Sequence, residues 1–256
     1  MKTNQISLAL FTLISSSLSL NVLAQEAEKE VQDMSDPLAV YTQAGMGVTN
    51  KGINIKVGQT YDTDSETTMG MNIIEIKGIG GESLGWADEN HRNDSVDSIR
   101  FRNFGVDLTN GRGSQVDVNW DFNSGAGSAS YSLIQALPKM GPVQFYPLAG
   151  LGLAISENAE EGYQVPGSFG VMGVYTKLTI TDKIWFNYNP MYMVGLGGTD
   201  EFKETSILAH EIALSYQINP RSNVRTFVNF TNKSDVKDFA TLNDFGDLRV
   251  EFNYQF

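Results

Sequence analysis

The chain has no cysteine, which excludes disulfides, thiolate metal sites, iron–sulfur clusters and a cysteine nucleophile. Only two histidines are present, so imidazole-based metal or acid–base chemistry has little to work with. Positive charge is also scarce: 18 Lys and Arg against 30 Asp and Glu leave a net charge of −12. Phosphate contacts need clustered cations, so nucleic acid is excluded as a partner. Beyond residue 23 no apolar run approaches the ~20 residues of a membrane helix, and a mean hydropathy of −0.21 excludes a helical membrane bundle. Helical periodicity is nearly absent as well. The chain is nevertheless not disordered, because 41% hydrophobic and 11% aromatic residues can bury a core or coat an apolar surface.

The N-terminus reads as an address. Lys2 precedes an apolar stretch from Ile6 to Leu23, and Val22 and Ala24 place small residues at −3 and −1 of a cleavage site before Gln25. Ser15–Ser17, Ser19 and Asn21 interrupt the stretch, which argues against an uncleaved membrane anchor. Residues 1–24 are therefore expected to be a signal peptide, and losing Lys2 makes the mature chain one unit more negative. Residues 25–37 are acidic and lack apolar periodicity, so a flexible tail is expected there. Residues 38–256 carry the fold.

That remainder alternates with period two. Leu248, Val250, Phe252, Tyr254 and Phe256 share one face, with Arg249, Glu251, Asn253 and Gln255 on the other. Val116, Val118, Trp120 and Phe122 alternate with Asp117, Asn119 and Asp121. Such runs predict twelve strands, at 38–48, 52–61, 67–79, 96–109, 114–122, 128–137, 143–155, 167–180, 183–196, 205–218, 223–232 and 246–256. Each is long enough to cross a bilayer, which takes ~9–11 tilted residues. The second, fourth, sixth, eighth and tenth connections are short and rich in Asp, Asn, Gly and Pro, as tight turns require. The long connections, 80–95, 156–166, 197–204 and 233–245, fall only at odd positions. In an up-and-down meander, odd and even connections lie at opposite ends, so one end carries tight turns and the other long loops.

Alternation alone does not separate a soluble sandwich from a membrane barrel. Three features favour the barrel: the signal peptide, outward aromatics near strand ends, and polar faces of Gly, Ser, Asn and mixed charge instead of a lysine-rich solvent face. The aromatics are Tyr61, Phe145, Tyr188, Tyr216 and Tyr254 at the turn end and Phe101, Trp120, Phe122, Phe169 and Phe230 at the loop end. The terminal Val250–Glu251–Phe252–Asn253–Tyr254–Gln255–Phe256 resembles the closing strand of bacterial outer-membrane β-barrels. The resemblance implies an all-β, closed antiparallel up-and-down transmembrane barrel of about twelve strands in a Gram-negative outer membrane. It also implies a periplasmic location for the 25–37 tail and the short turns. Periplasmic chaperones and the barrel-assembly machinery would be partners, with Phe252, Tyr254 and Phe256 as the assembly signal, and outer-membrane lipid and lipopolysaccharide would surround the barrel. No subfamily is identified.

Outer-membrane lipid hydrolases, which share this architecture, place a His and a Ser two residues apart on a lipid-facing strand. His210 sits among outward Leu208, Ile212 and Leu214, so no such pair exists and an interfacial role is expected. His91 lies in a polar loop. Asp62, Asp64 and Glu66 alternate like half a calcium loop but lack its Gly and terminal Glu, so a plain turn is expected. The acidic groups Glu157–Glu160–Glu161, Asp200–Glu201 and Asp235–Asp238 read as solvated loops. No catalytic residue, metal site or cofactor is assigned.

Strand parity places Lys56, Glu75, Lys77, Arg100, Arg102, Asp107, Asp117, Asp121, Lys177, Glu211, Arg225, Arg249 and Glu251 in the lumen, close to neutral overall. A narrow porin-like channel for small polar solutes is the favoured reading. A closed structural or adhesive barrel is the alternative, and a lipid-modifying enzyme the third, because twelve strands fall between filled eight-stranded barrels and open porins. Two finer expectations follow. Ile99 and Phe101 differ in parity from Phe104, Val106 and Leu108, which predicts a β-bulge near Asn103. With that bulge, Arg102 would lie between Glu75 and Asp121.

Overall fold

The computed structural model describes residues 31–49, 51–81, 96–158, 160–232 and 247–256. The signal peptide, His91 and the Asp235–Asp238 group lie outside the described residues. Twelve strands are present: β1 (Gln43–Thr49), β2 (Gly52–Tyr61), β3 (Thr68–Ile79), β4 (Ser98–Asp107), β5 (Arg112–Asp121), β6 (Ala126–Gln135), β7 (Val143–Asn158), β8 (Gly162–Thr179), β9 (Ile184–Gly198), β10 (Ser206–Asn219), β11 (Ser222–Thr231) and β12 (Asp247–Gln255). Each is antiparallel to its sequence neighbour, and β1 closes the barrel on β12 from Gln43↔Gln255 to Thr49↔Arg249. Closure leaves no free strand edge, as an apolar surrounding requires. The outer face bears Val57, Phe101, Leu133, Leu151, Leu214 and Phe252, all exposed. The inner face bears most of the buried polar residues, among them Asn54, Asn187, Asn223, Asn253 and Ser215.

The connections divide as the meander argument demands. Tight turns join β2–β3, β4–β5, β6–β7, β8–β9 and β10–β11 at the end that holds both Gln43 and Gln255. At the other end, β9 and β10 are joined through a short helix, α1 (Asp200–Lys203), whose N-cap Thr199 hydroxyl accepts from the Phe202 amide at 3.2 Å. α1 lies against the inner face of the wall. A Cβ on inward Gly195 would sit 2.1 Å from the Phe202 carbonyl, and one on Gly167 would meet the Phe202 ring at 2.3 Å.

Several expectations need correction. The connection 156–166 is mostly strand: β7 and β8 run on as a hairpin of 16 and 18 residues, with an irregularity between Ala154 and Ser156. Phe169 points inward, 4% exposed, with its ring over Gly152, where a Cβ would come within 2.3 Å. Strand β4 has no bulge. Its register runs unbroken from Ser98↔Asp121 to Asp107↔Arg112, and Phe104 and Val106 face the lumen.

The cause of that inward turn is the segment before β1. Residues 38–42 do not start the first strand, and residues 31–37 are not a free tail. Two turns, Asp36 N to Asp33 O and Ala39 N to Asp36 O, each 3.0 Å, fold the segment inside the turn end of the barrel. There Val40 packs with Met71, Ile73 and Val106, and Phe104 and Leu38 lie against that group. Leu38 also touches a second cluster of Ile134, Tyr146 and Leu148. Burying these side chains removes apolar area from water at roughly 25 cal/mol per Å². Parity therefore switches in β4 because the inner environment switches from polar to apolar, with the strand geometry unchanged.

Candidate functional site

The lumen is the concave surface that the wall encloses, and its chemistry changes along the axis. At the turn end the inserted segment is tied to four strands. The Gln32 amide donates to Gln255 Oε1 at 3.1 Å, and Gln255 Nε2 returns a bond to the Gln32 carbonyl at 2.9 Å. Lys177 Nζ on β8 donates to Asp33 Oδ2 at 2.8 Å. Met34 is 5% exposed, with its sulfur near Gln217 and Asn223. Partial burial opposes ionisation of Asp33, but the bonds from Lys177 and Ser35 outweigh it and hold the carboxyl below its ordinary range. Burial pushes the Tyr41 phenol up to about 12.

Above the segment, ion pairs cross the wall. Arg102 pairs with Glu75, and Arg100 pairs with Asp117, donating from Nε to Oδ1 at 2.9 Å. The pairing is diagonal, because the register sets Glu75 opposite Arg100 and Arg102 opposite Asp117. Gln115 Nε2 adds a 3.0 Å bond to Asp117. Asp121 is not the second partner of Arg102: without a bulge it falls opposite Ser98, where it caps the β5–β6 turn by accepting from the Asn123 and Ser124 amides. Asp107 falls on the outward parity of β4 and caps the β4–β5 turn, accepting from the Thr109 amide at 2.9 Å and from Asn110 Nδ2 at 2.7 Å.

A second knot ties the barrel seam. Glu251 on β12 accepts from Lys56 Nζ at 2.7 Å and from Asn54 Nδ2 at 2.9 Å, both on β2. These side chains reach over β1, whose inward positions at this level are Gly45 and Gly47. A Cβ at Gly47 would lie 2.3 Å from the Val250 carbonyl and 2.7 Å from Asn54 Oδ1, so the glycine is what lets β2 and β12 bond across the strand between them. Arg249 stacks over Phe227 at 4.1 Å from the ring centroid and lies 3.7 Å from Glu251. Arg225 also lies over that inward ring, 4.7 Å from its centroid.

Of the thirteen charges assigned to the lumen by parity, the register puts twelve on the inner face of their strands: Lys56, Lys77, Arg100, Arg102, Lys177, Arg225 and Arg249, with Glu75, Asp117, Asp121, Glu211 and Glu251. The wall is thus cationic, not neutral as the parity count gave. Asp33 and Asp36, carried in by the N-terminal segment, bring acidic groups to it. The signal for Asp107 and Asp121 was local and available: each begins a tight turn with Thr, Ser or Asn two and three residues on, the spacing of turn-capping aspartates.

His210 faces outward. Its ring stacks between Tyr188 and Phe230, with centroids 5.9 and 4.7 Å away, and Nδ1 meets the Tyr188 hydroxyl at 2.8 Å. Asp62 accepts from the Asp64 amide at 2.8 Å, with Asp64 at φ 55°, which is a turn. Among the described residues no three His, Asp or Glu converge as a metal site.

A closed antiparallel barrel with an apolar outside, a polar inside, tight turns at one end and longer connections at the other is the fold class of bacterial outer-membrane β-barrels. No protein-family model matches the chain, and no curated protein matches it. Among solved structures it is similar to the NanC porin, with a TM-score of 0.50 at 7% identity over 84% of this chain and 98% of that one. It is also similar to the KdgM porin, TM-score 0.47 at 9% identity over 85% and 99%. The translocator domain of the autotransporter NalP from Neisseria meningitidis gives 0.46 at 12% identity over 98% and 95%. At these identities the likeness is one of fold.

Proposed function

We propose that this protein is an integral outer-membrane barrel forming a narrow channel for small polar solutes, closed at its turn end by its own residues 31–42. The observation that supports the channel is a pair of cavities on either side of that segment. One, of about 480 Å³, opens at the turn-end rim beside Asp33, Lys177, Trp185 and Gln217. The other, of about 130 Å³, lies deeper among Tyr41, Lys56, Arg102 and Arg225. The apolar outer belt meets lipid and lipopolysaccharide acyl chains, and the closing strand with Phe252, Tyr254 and Phe256 engages the periplasmic chaperones and assembly machinery. The apolar clusters at the turn end favour the second reading, a closed structural barrel. Swelling of liposomes that contain the refolded protein separates the two. Swelling in glycine or a small sugar, above protein-free liposomes, supports the channel. No swelling, before or after removal of residues 31–40, leaves the structural barrel.

A further inference from the structure

Among the described residues, no carboxylate lies within ion-pair distance of the lumen cation Arg225. Its register partner on β12 is Glu251, but that carboxylate is taken by Lys56 at 2.7 Å and Asn54 at 2.9 Å. Arg225 instead donates from Nε to Ser215 Oγ and from Nη2 to Asn187 Oδ1, both at 3.0 Å, with Phe227 against its face. Two of its five N–H donors are used. An inward cation with neutral partners is costly unless a counter-charge reaches it.

The guanidinium lines the cavity of about 130 Å³ between the wall and the N-terminal segment. Other donors line the same space. Lys56 spends one hydrogen bond on Glu251, Arg102 has a buried Nε with no partner, and the Tyr41 phenol comes from the segment itself. The acceptors are fewer: Asp36 is present, but its Oδ1 already accepts from the Leu38 amide at 2.9 Å, and Gln43 donates towards Met71. A half-open space to which Arg225, Lys56, Arg102 and Tyr41 bring spare donors is complementary to a small anion. Its volume is close to that of cavities of about 150 Å³ that accept benzene, so the anion has only a few heavy atoms. A planar carboxylate suits a guanidinium with one edge free.

We propose that this cavity binds a small carboxylate, held by Arg225 from the wall and Tyr41 from the N-terminal segment. Such a ligand places a carboxylate within bonding distance of Arg225, which Glu251 does not, and it joins the segment to β11. The site does not depend on the channel reading, since binding is measured without transport.

The test is calorimetric titration of sodium acetate into the full mature chain refolded in detergent, with ionic strength held by a bulky sulfonate. One saturable site per chain is expected, weakened on the order of tenfold in Arg225→Gln and about threefold in Tyr41→Phe. The absence of saturable acetate binding in the parent chain overturns the proposal, as does an unchanged affinity in Arg225→Gln. Should Arg225→Gln fail to fold, Tyr41→Phe decides, and unchanged affinity there overturns it. Liposome swelling is unaffected by either outcome, so the two proposals fail separately.

Discussion

The turn end of the lumen and its middle are built on the same strands but filled by opposite chemistry. On β3 the inward side chains are Met71 and Ile73 near the turn and Glu75 one step higher. On β4 they are Val106 and Phe104, then Arg102 and Arg100. The apolar level exists because Leu38 and Val40 are delivered to it by a segment outside the sheet, and the polar level exists because they do not reach that far. A break in hydrophobic parity thus has two physical causes: an extra residue that turns the strand over, or a change in what the strand faces. The β4 register shows the second.

The largest expected effect tests the polar level. Glu251 and Lys56 are nearly buried, with side chains 2% and 10% exposed. Glu251→Gln leaves the Lys56 charge without its partner, and breaking a buried pair costs about 3–5 kcal/mol. A urea titration in lipid should show that loss, and Lys56→Gln in the same chain should recover most of it. If the double variant is no more stable than Glu251→Gln alone, the seam does not rest on this pair.

A smaller effect tests the apolar level. Phe104→Ala opens space against Val40 and Val106 and should cost about 2–3 kcal/mol, below the value for a fully buried Phe because the ring is only partly covered. Phe101→Ala on the outer face should cost less. Equal losses at the two positions would place both rings in the same environment and restore the bulge.

The smallest effect is a pH dependence. Asp33 has its carboxyl held below the ordinary 3.8, so its contribution is complete at neutral pH and is lost as pH falls through the lowered value. The carboxylate is 62% exposed, which makes the effect modest. Current through the reconstituted protein should rise as the pH drops below about 3.8, and Lys177→Gln should abolish the step. A step that survives in Lys177→Gln belongs to another group.

Sequence made the wall legible because alternation reports which face is polar. β2 begins at Gly52 and ends at Tyr61 as expected, and the other strands lie within a few residues of expectation except at β1 and the β7–β8 hairpin. The lumen ring was legible for the same reason: Lys56, Glu75, Arg102 and Glu251 follow from parity. What alternation does not carry is contact between parts far apart in the chain. Residues 31–42 have no periodicity because they fold through two turns and touch strands at irregular intervals, so their place depends on complementarity with Ile73, Val106 and Tyr146. Phe169 misled for a related reason, since the Gly152 that receives it sits on the neighbouring strand.

The account turns on whether residues 31–42 close the turn end. Single-channel conductance of the refolded mature chain, compared with a chain lacking residues 31–40, tests this most directly. The deletion keeps Thr42, whose carbonyl accepts from the Phe256 amide at 3.0 Å at the barrel seam, so the barrel should still form. The account predicts a several-fold rise in conductance, or open events where the parent shows none. A folded deletion variant with unchanged conductance would contradict it.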